Sequence, residues 1–286
     1  MSLEQLHRHF TSGTRSTITG GQIGLEIETD FLDANHQPIS TEVAGQILKT
    51  TEGRPQHTTH KLELGRQKIE LAVAPQPSPA LLLEAALEAL DWLYDVANVF
   101  GAYPLMAPEI NSNEELLWVQ EERDEIWVAL DGRRALEELC RCSSVQFTVD
   151  LNPSDAIEMV NRLWAIGPHA AGYSRNDARW KTYISESVAG YRTDRYAGPQ
   201  GFDSVADYCH ELMRHDVVMH QGRPLNRPLA EVSDADIDLF LRSVWWHYRL
   251  RRYGASLAVE IRPMGRFDDD VDLPKQLATI SDLFNM

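Results

Sequence analysis

Two glutamates two positions apart are the residues of this sequence best placed to do chemistry. Residues 23–28 read Ile-Gly-Leu-Glu-Ile-Glu, so that Glu26 and Glu28 alternate with apolar side chains. A period of two is typical of a β-strand, which turns the apolar residues to a core and both carboxylates to the other face. Such a pair repels itself unless a cation lies nearby, and this indicates a divalent metal. The alternative is a solvated strand face, because glutamate is mostly a surface residue.

Three further segments carry oxygen-bearing side chains on the polar face of an alternating pattern. Residues 61–73 contain two such strand segments joined around Gly65, which predicts a hairpin or a bulge. Residues 143–150 and 256–262 predict two more strands. Carboxylate and amide oxygens suit Mg²⁺ or Mn²⁺ better than zinc. The pattern therefore predicts a metal cluster. Its candidate ligands are Glu26, Glu28, Glu63, Glu70, Gln146 and Glu260.

Basic side chains near these strands indicate an anionic ligand. Protein-bound magnesium usually keeps waters and contacts substrate phosphates, and Arg262 lies on the same strand face as Glu260. Residues 172–181 form the one locally basic region, with Arg175, Arg179 and Lys181 as candidate phosphate ligands. Neither G-x-x-x-x-G-K-[ST] nor G-x-G-x-x-G occurs. A nucleotide would therefore be held by metals and basic side chains.

The elements that must position these residues predict an α+β fold with a curved, mainly antiparallel sheet. Helices at about 79–100, 154–166 and 234–252 are expected to cover one face, and the metal and nucleotide site is expected on the other. The acidic stretch 121–125 is expected to be a solvated helix face. We expect residues 1–286 to form a single catalytic domain.

Composition excludes several other classes of protein. The net charge of −16 over 286 residues disfavours a nucleic-acid or anionic-membrane partner. No apolar run is long enough for a transmembrane helix, and the first ten residues lack the apolar segment of a signal peptide, so a cytoplasmic protein is expected. Three cysteines argue against a disulfide framework, and Cys140 and Cys142 are interpreted as a reduced pair. The sequence leaves the oligomeric state open.

Taken in order, these segments resemble the glutamate–cysteine ligase superfamily, whose members are carboxylate–amine ligases with a glutamine-synthetase-like catalytic sheet. Residues 6–13 are similar to the helix and turn that precede its first strand, and residues 23–28 to its G-x-E-x-E segment. Glu63 and Glu70 with the following Ala-Pro resemble its second carboxylate pair. Residues 142–150 resemble the glutamine-bearing strand of the plant and proteobacterial type, and residues 259–263 its closing E-x-R.

The resemblance implies ATP-dependent amide formation. A substrate carboxylate would attack the terminal phosphate of ATP, and an amine would then displace phosphate from the acyl phosphate. The six candidate ligands would share two or three Mg²⁺ (or Mn²⁺), and Arg262 would stabilise the transferring phosphoryl group together with Glu28 at the catalytic centre. Further candidates for nucleotide or substrate binding are Thr148, Arg249 and Arg251.

The substrates and two rival functions stay open at this point. The γ-glutamyl type implies glutamate joined to cysteine or to another amine, so the expected partners are a small-molecule acid and amine. The same carboxylates would also suit a metal-dependent phosphoester hydrolase. A third reading is a non-catalytic binding module that keeps the sheet without turnover.

Overall fold

The computed structural model is a mixture of helices and antiparallel strands, so the α+β prediction is confirmed. It describes residues 2–14, 21–120, 122–170, 177–186, 201–214, 217–220, 223–226, 237–242, 244, 246–266 and 272–284. The helices are α1 (Leu3–Thr11), α2 (Thr41–Lys49), α3 (Pro79–Val99), α4 (Glu122–Asp131), α5 (Arg133–Cys140), α6 (Ala156–Ala170), α7 (Asp177–Glu186), α8 (Val205–Leu212), α9 (Ile237–Arg242) and α10 (Asp272–Phe284). The strands are β1 (Ile23–Leu32), β2 (Thr58–Leu62), β3 (Lys68–Gln76), β4 (Tyr103–Leu105), β5 (Ser144–Leu151), β6 (Val217–His220), β7 (Arg223–Asn226), β8 (Tyr248–Tyr253) and β9 (Ser256–Gly265).

Local sequence chemistry starts several of these helices. Ser40 and Ser78 stand just before α2 and α3, and each side chain accepts a hydrogen bond from a backbone N–H of the first turn. Such caps satisfy donors that have no partner inside the helix. Pro79 opens α3, where its missing N–H costs nothing. The α3 boundaries agree with the prediction within one residue.

One open sheet carries the candidate residues. Its order is β2-β3-β1-β5-β9-β8, with β4 paired to the end of β1. The pairing sets Glu28 opposite Glu70, Glu26 opposite Gln146, and Thr148 opposite Glu260. The hairpin predicted around Gly65 is the β2–β3 connection. The register therefore brings the polar residues of separate strands into adjacent rows.

The apolar face of the sheet forms the main core. Ile27, Phe147 and Ile261 on three neighbouring strands are completely buried. Side chains from α1, α2, α3, α6, α8, α9 and α10 pack in the same cluster. Each such side chain stabilises the fold by about 1.5–3 kcal/mol through removal from water.

The polar side of the sheet is partly covered as well. A second apolar cluster joins Trp127 of α4, Leu136 of α5 and Tyr183 of α7. The prediction of a solvated face at 121–125 is wrong for Asp124, which is only 3% exposed, whereas Glu125 is exposed. Apolar residues that follow the acidic run, such as Trp127, pack in this second cluster and turn one side of α4 inward.

The helix predicted over 234–252 is correct for residues 237–242 and wrong for residues 248–252. Helix α9 ends at Arg242, and residues 248–253 form the edge strand β8, which pairs with β9. In β8, Tyr248 and Leu250 are buried in the core, and Arg249 and Arg251 alternate with them. The aromatic residues at 245–248 masked this period of two. The correction sets both arginines beside Glu260 in the sheet.

No helix among the described residues has both the length and the apolar character needed to cross a membrane.

A glycine pair tests the β8–β9 turn. Gly254 has φ +61°, in the left-handed region, and a methyl group there would meet nothing within 4 Å. We expect Gly254→Ala to lower the free energy of unfolding by about 1–2 kcal/mol through backbone strain alone. Gly45→Ala is the matched control, because Gly45 lies inside α2 with equal space, and it should stabilise by up to about 1 kcal/mol. Urea unfolding measures both, and equal effects of the two variants would contradict this turn.

Candidate active site

Polar side chains of the sheet meet in one cavity of about 300 Å³ between the sheet and helices α4 and α5. Its walls combine an acidic half, formed by β1, β3 and the β2–β3 turn, and a basic half, formed by β8 and β9. The lining residues are Glu26, Glu28, Lys61, Glu63, Leu64, Gly65, Lys68, Glu70, Asp124, Trp127, Leu139, Cys140, Cys142, Gln146, Arg249, Arg251, Tyr253, Glu260 and Arg262.

The acidic half brings together carboxylates that are distant in sequence. Glu28 and Glu70 are direct neighbours across β1 and β3, and Glu70 is only 4% exposed. Glu63 joins them through Lys61, whose ammonium nitrogen lies 3.0 Å from Glu63 Oε1 and 3.1 Å from Glu70 Oε1. The carboxylates therefore share a small, poorly hydrated volume.

Burial and mutual repulsion disfavour ionisation in this half. Burial raises the pKa of Glu26, and the charge of Glu260 adds to the effect. Burial raises the pKa of Glu28 to about 7, although Lys68 opposes the change. Burial, then Glu26 and Glu63, raise the pKa of Glu70 to about 9 against the attraction of Lys61. A cation placed among these oxygens would relieve the repulsion.

The basic half is organised around Glu260. Arg249 Nε donates to Glu260 Oε2 at 2.9 Å, and the Tyr253 hydroxyl donates to Oε1 at 2.9 Å. Arg262 Nη1 lies 3.4 Å from Oε2, and Arg251 Nε lies 3.9 Å from Oε1. Burial opposes the charge of Glu260, but the arginines outweigh it and lower its pKa to about 2. Glu260 is therefore an anion that holds several cationic side chains in place.

The arginines differ in how far they are committed. Arg249 also donates to the backbone oxygens of Leu241 and Val244, at 2.6 and 2.9 Å, so its donors are used by Glu260 and the backbone. Arg251 is 9% exposed, and its buried Nε has no hydrogen-bond partner within the described chain. Arg251 and Arg262 line the cavity and can meet an anionic ligand there.

A buried network of hydrogen bonds and ion pairs holds Glu28 in place. Lys68 Nζ lies 3.3 Å from Asp30 Oδ1 and donates to Ser143 Oγ at 2.7 Å. Ser143 Oγ donates to Asp30 Oδ2 at 2.9 Å, and the backbone N–H of Ser144 donates to Glu28 Oε2 at 3.0 Å. Such contacts lock the rotamer of the carboxylate, as precise sites require.

Most of the predicted site residues do converge. The six candidate metal ligands and Arg249, Arg251 and Arg262 all line the cavity. Thr148 lies on β5 opposite Glu260 but is not one of the lining residues. Arg179 lies on α7 and is paired with Glu109 at 2.8 Å and Glu138 at 2.9 Å, away from the lining set. Arg175 and the side chain of Lys181 fall outside the described residues.

The sequence did not predict four charged or hydroxyl-bearing lining residues, which are Lys61, Lys68, Asp124 and Tyr253. Lys61 pairs with Glu70 and Lys68 with Asp30 across neighbouring strands, so only the register of the sheet identifies the two lysines. Tyr253 follows Arg249 and Arg251 at a spacing of two and becomes visible once β8 is a strand. Asp124 had no sequence signal, because its burial depends on how α4 packs.

The chemistry of the donors fits a hard divalent cation. Glu26, Glu28, Glu63, Glu70 and Gln146 offer hard oxygens, and repulsion among the carboxylates favours a positive charge. The thiols of Cys140 and Cys142 also line the cavity, but burial raises the pKa of both and so disfavours the thiolate that a soft metal needs. Within the described ranges, no group of three or more His, Cys, Asp or Glu side chains already stands in a metal-holding arrangement. The oxygens are instead shared with Lys61 and Lys68, so binding would require local rearrangement of side chains.

The raised pKa of Glu70 predicts a pH dependence of stability. The folded chain holds this proton more tightly than the unfolded chain, whose ordinary value is 4.5, so the stabilisation is complete below about pH 4.5 and is lost as the pH rises towards 9. Without added metal, the free energy of unfolding of Glu70→Gln, taken relative to that of the unmodified chain, should rise by at least about 1 kcal/mol from pH 4.5 to pH 9. The control is Glu84→Gln on the exposed face of α3. Urea unfolding at both pH values measures the gain, and a loss for Glu70→Gln at high pH would refute the repulsion.

Comparisons with known proteins find similarity among solved structures only. No family model matches the sequence, and the search of curated proteins finds no match. Among solved structures, the chain is similar to a bifunctional glutathione synthetase from Pasteurella multocida, with 13% identity and a TM-score of 0.44. The similarity covers 96% of this chain and 40% of that protein, so the chain spans about two fifths of its length.

Proposed function

We propose that the protein is an ATP-dependent carboxylate–amine ligase of the γ-glutamyl type. The observation that carries the proposal is the division of one cavity into a carboxylate-rich half and an arginine-rich half. A ligase that uses ATP must hold cations beside phosphates and must also hold an anionic substrate. The two halves meet where Glu26, Gln146 and Glu260 lie in adjacent rows of the sheet.

The acidic half would hold Mg²⁺ or Mn²⁺ through Glu26, Glu28, Glu63, Glu70 and Gln146. Glu260 belongs to the set predicted from the sequence, although its oxygens accept hydrogen bonds from Arg249 and Tyr253. Bound cations would neutralise phosphate charge during phosphoryl transfer. The raised pKa values of Glu28 and Glu70 support this assignment, because such shifts concentrate at functional sites.

The basic half would hold anions of the substrates. Arg262 and Arg251 line the cavity, and each forms an ion pair with Glu260, at 3.4 and 3.9 Å respectively. An arginine held in place by a buried carboxylate can bind a phosphoryl or carboxylate oxygen without reorganising. Arg249 is then a positioning residue, because its own donors are used by Glu260 and the backbone.

The overall reaction follows from these roles and from the family resemblance. The oxygen of a substrate carboxylate attacks the terminal phosphorus of ATP, and ADP leaves. The amine nitrogen then attacks the acyl carbon, phosphate departs, and the nitrogen loses a proton. Helices α4 and α5 form one wall of the cavity, and this wall would help to keep water away from the acyl phosphate.

The finer parts of the proposal rest on the resemblance. They are a glutamine-synthetase-like catalytic sheet, a single catalytic domain over residues 1–286, and glutamate as the acid with cysteine or another amine as its partner. Small-molecule substrates agree with the net charge of −16, which is unfavourable for binding nucleic acid. Use of ATP fits the cytoplasmic location that the sequence predicts.

Product analysis tests the proposal directly. Purified protein with Mg²⁺, ATP and L-glutamate is mixed with a panel of amines, and release of ADP and phosphate is followed. We expect ADP formation that depends on one of the amines. Hydrolysis of a phosphoester without ADP formation would support the hydrolase instead, and no turnover of either kind would support a binding module.

Glu28 provides a sharper test of the site. Glu28→Gln keeps the shape of the side chain and its contact with the Ser144 N–H, but it removes the charge. We expect turnover to be lost while the melting temperature stays close to that of the unmodified chain. Glu84→Gln is the control for a glutamate outside the cavity. Full activity of Glu28→Gln would remove Glu28 from the site.

A further inference from the structure

A lysine already stands where the acidic half would need a cation. Lys61 Nζ bridges Glu63 Oε1 at 3.0 Å and Glu70 Oε1 at 3.1 Å. Lys61 and Glu70 are direct partners in the β2–β3 ladder, so the bridge is built by the register of the hairpin. The ammonium group thus neutralises part of a cluster that would otherwise repel itself.

A divalent cation would need the same oxygens. Carboxylate oxygens that bind a hard cation lie in direct contact with it, and the ammonium of Lys61 is in hydrogen-bond contact with one oxygen of each carboxylate. Two cations cannot occupy one small space between two carboxylates without strong repulsion. Binding of metal to Glu63 and Glu70 therefore requires Lys61 to leave.

The two lysines of the cavity differ in their freedom to leave. The side chain of Lys61 is 52% exposed and belongs to the edge strand β2. The side chain of Lys68 is 3% exposed and is held by Asp30 and Ser143. An ammonium group on a half-exposed, flexible side chain regains water at a lower cost than one on a buried side chain. Lys61 is therefore the displaceable cation and Lys68 the fixed one.

We propose that Lys61 is a built-in counterion that competes with a divalent cation for Glu63 and Glu70. The inference rests on the proposed function only in taking these carboxylates as metal ligands. Lys61 holds the two carboxylates together, and metal binding exchanges this ion pair for coordination. The affinity for metal is lower than that of the carboxylates alone by the free energy of the exchanged pair.

Binding of Mn²⁺ alone tests the competition without any turnover. Lys61→Met keeps the length of the side chain and removes its charge, so the dissociation constant for Mn²⁺ should fall about tenfold, which corresponds to the loss of one moderate charge interaction. Lys61→Gln serves as a second uncharged variant, and Lys61→Arg should stay close to the unmodified chain. Lys275→Met is the matched control, because Lys275 forms an exposed ion pair with Asp272 on α10. Isothermal titration calorimetry at fixed pH and ionic strength gives the constants.

The outcomes separate this inference from the proposed function. Tighter binding in both uncharged variants, with Lys275→Met unchanged, supports the competition. Equal or weaker binding, or an additional Mn²⁺ bound without a change in the first constant, overturns it and leaves the metal site intact. Absence of Mn²⁺ binding in every chain refutes the metal site itself, and the inference falls with it.

Discussion

Repulsion among carboxylates that the sheet forces together is the constraint on which the site depends. Glu26, Glu28 and Glu70 are fixed on neighbouring strands by backbone hydrogen bonds, so they cannot separate without breaking the ladder. Their burial prevents water from screening the charges. The chain relieves the repulsion with raised pKa values and with the ammonium groups of Lys61 and Lys68. The proposed divalent cation would relieve the remaining repulsion.

The other half of the cavity solves the opposite problem. Arg249, Arg251 and Arg262 are crowded around Glu260, which stays ionised because its pKa is lowered to about 2 despite burial. Here a single carboxylate is paired with three guanidinium groups, so net positive charge remains to attract an anionic ligand. The register of β5 with β9 slips between Val145 and Phe147, and this irregularity lies beside Arg262. Irregular pairing of this kind often re-aims a side chain next to a functional site.

The parts of the fold that follow from local patterns were predictable, and those that depend on packing were not. The alternation in β1, β5 and β9 and the cap and proline of α3 identify these elements within a few residues. The strand β8 was mistaken for helix because its aromatic neighbours obscured an alternation of only six residues. The burial of Asp124 comes from the contact of α4 with the polar side of the sheet, and no pattern within the segment encodes that contact.

The predicted site shows the same division. Glu26, Glu28, Glu70, Gln146 and Glu260 follow from strand periodicity, because a regular face converts spacing into position. The locally basic region 172–181 predicted the site less well, because Arg179 forms ion pairs with Glu109 and Glu138. Charge density along the chain does not reveal which cations are already paired. The ion pairs of Glu260 with the arginines of β8 become predictable only once β8 is paired with β9.

The most direct measurement of the central claim is the anomalous scattering of Mn²⁺ in crystals grown with Mn²⁺ and ADP. We expect manganese peaks at about 2.0–2.2 Å from the oxygens of Glu28 and Glu70, since these are the distances of small octahedral cations. The ADP phosphates should lie between the metal and Arg262. Manganese elsewhere, or a cavity in which Lys61 still bridges Glu63 and Glu70 while ADP binds at another place, would contradict it.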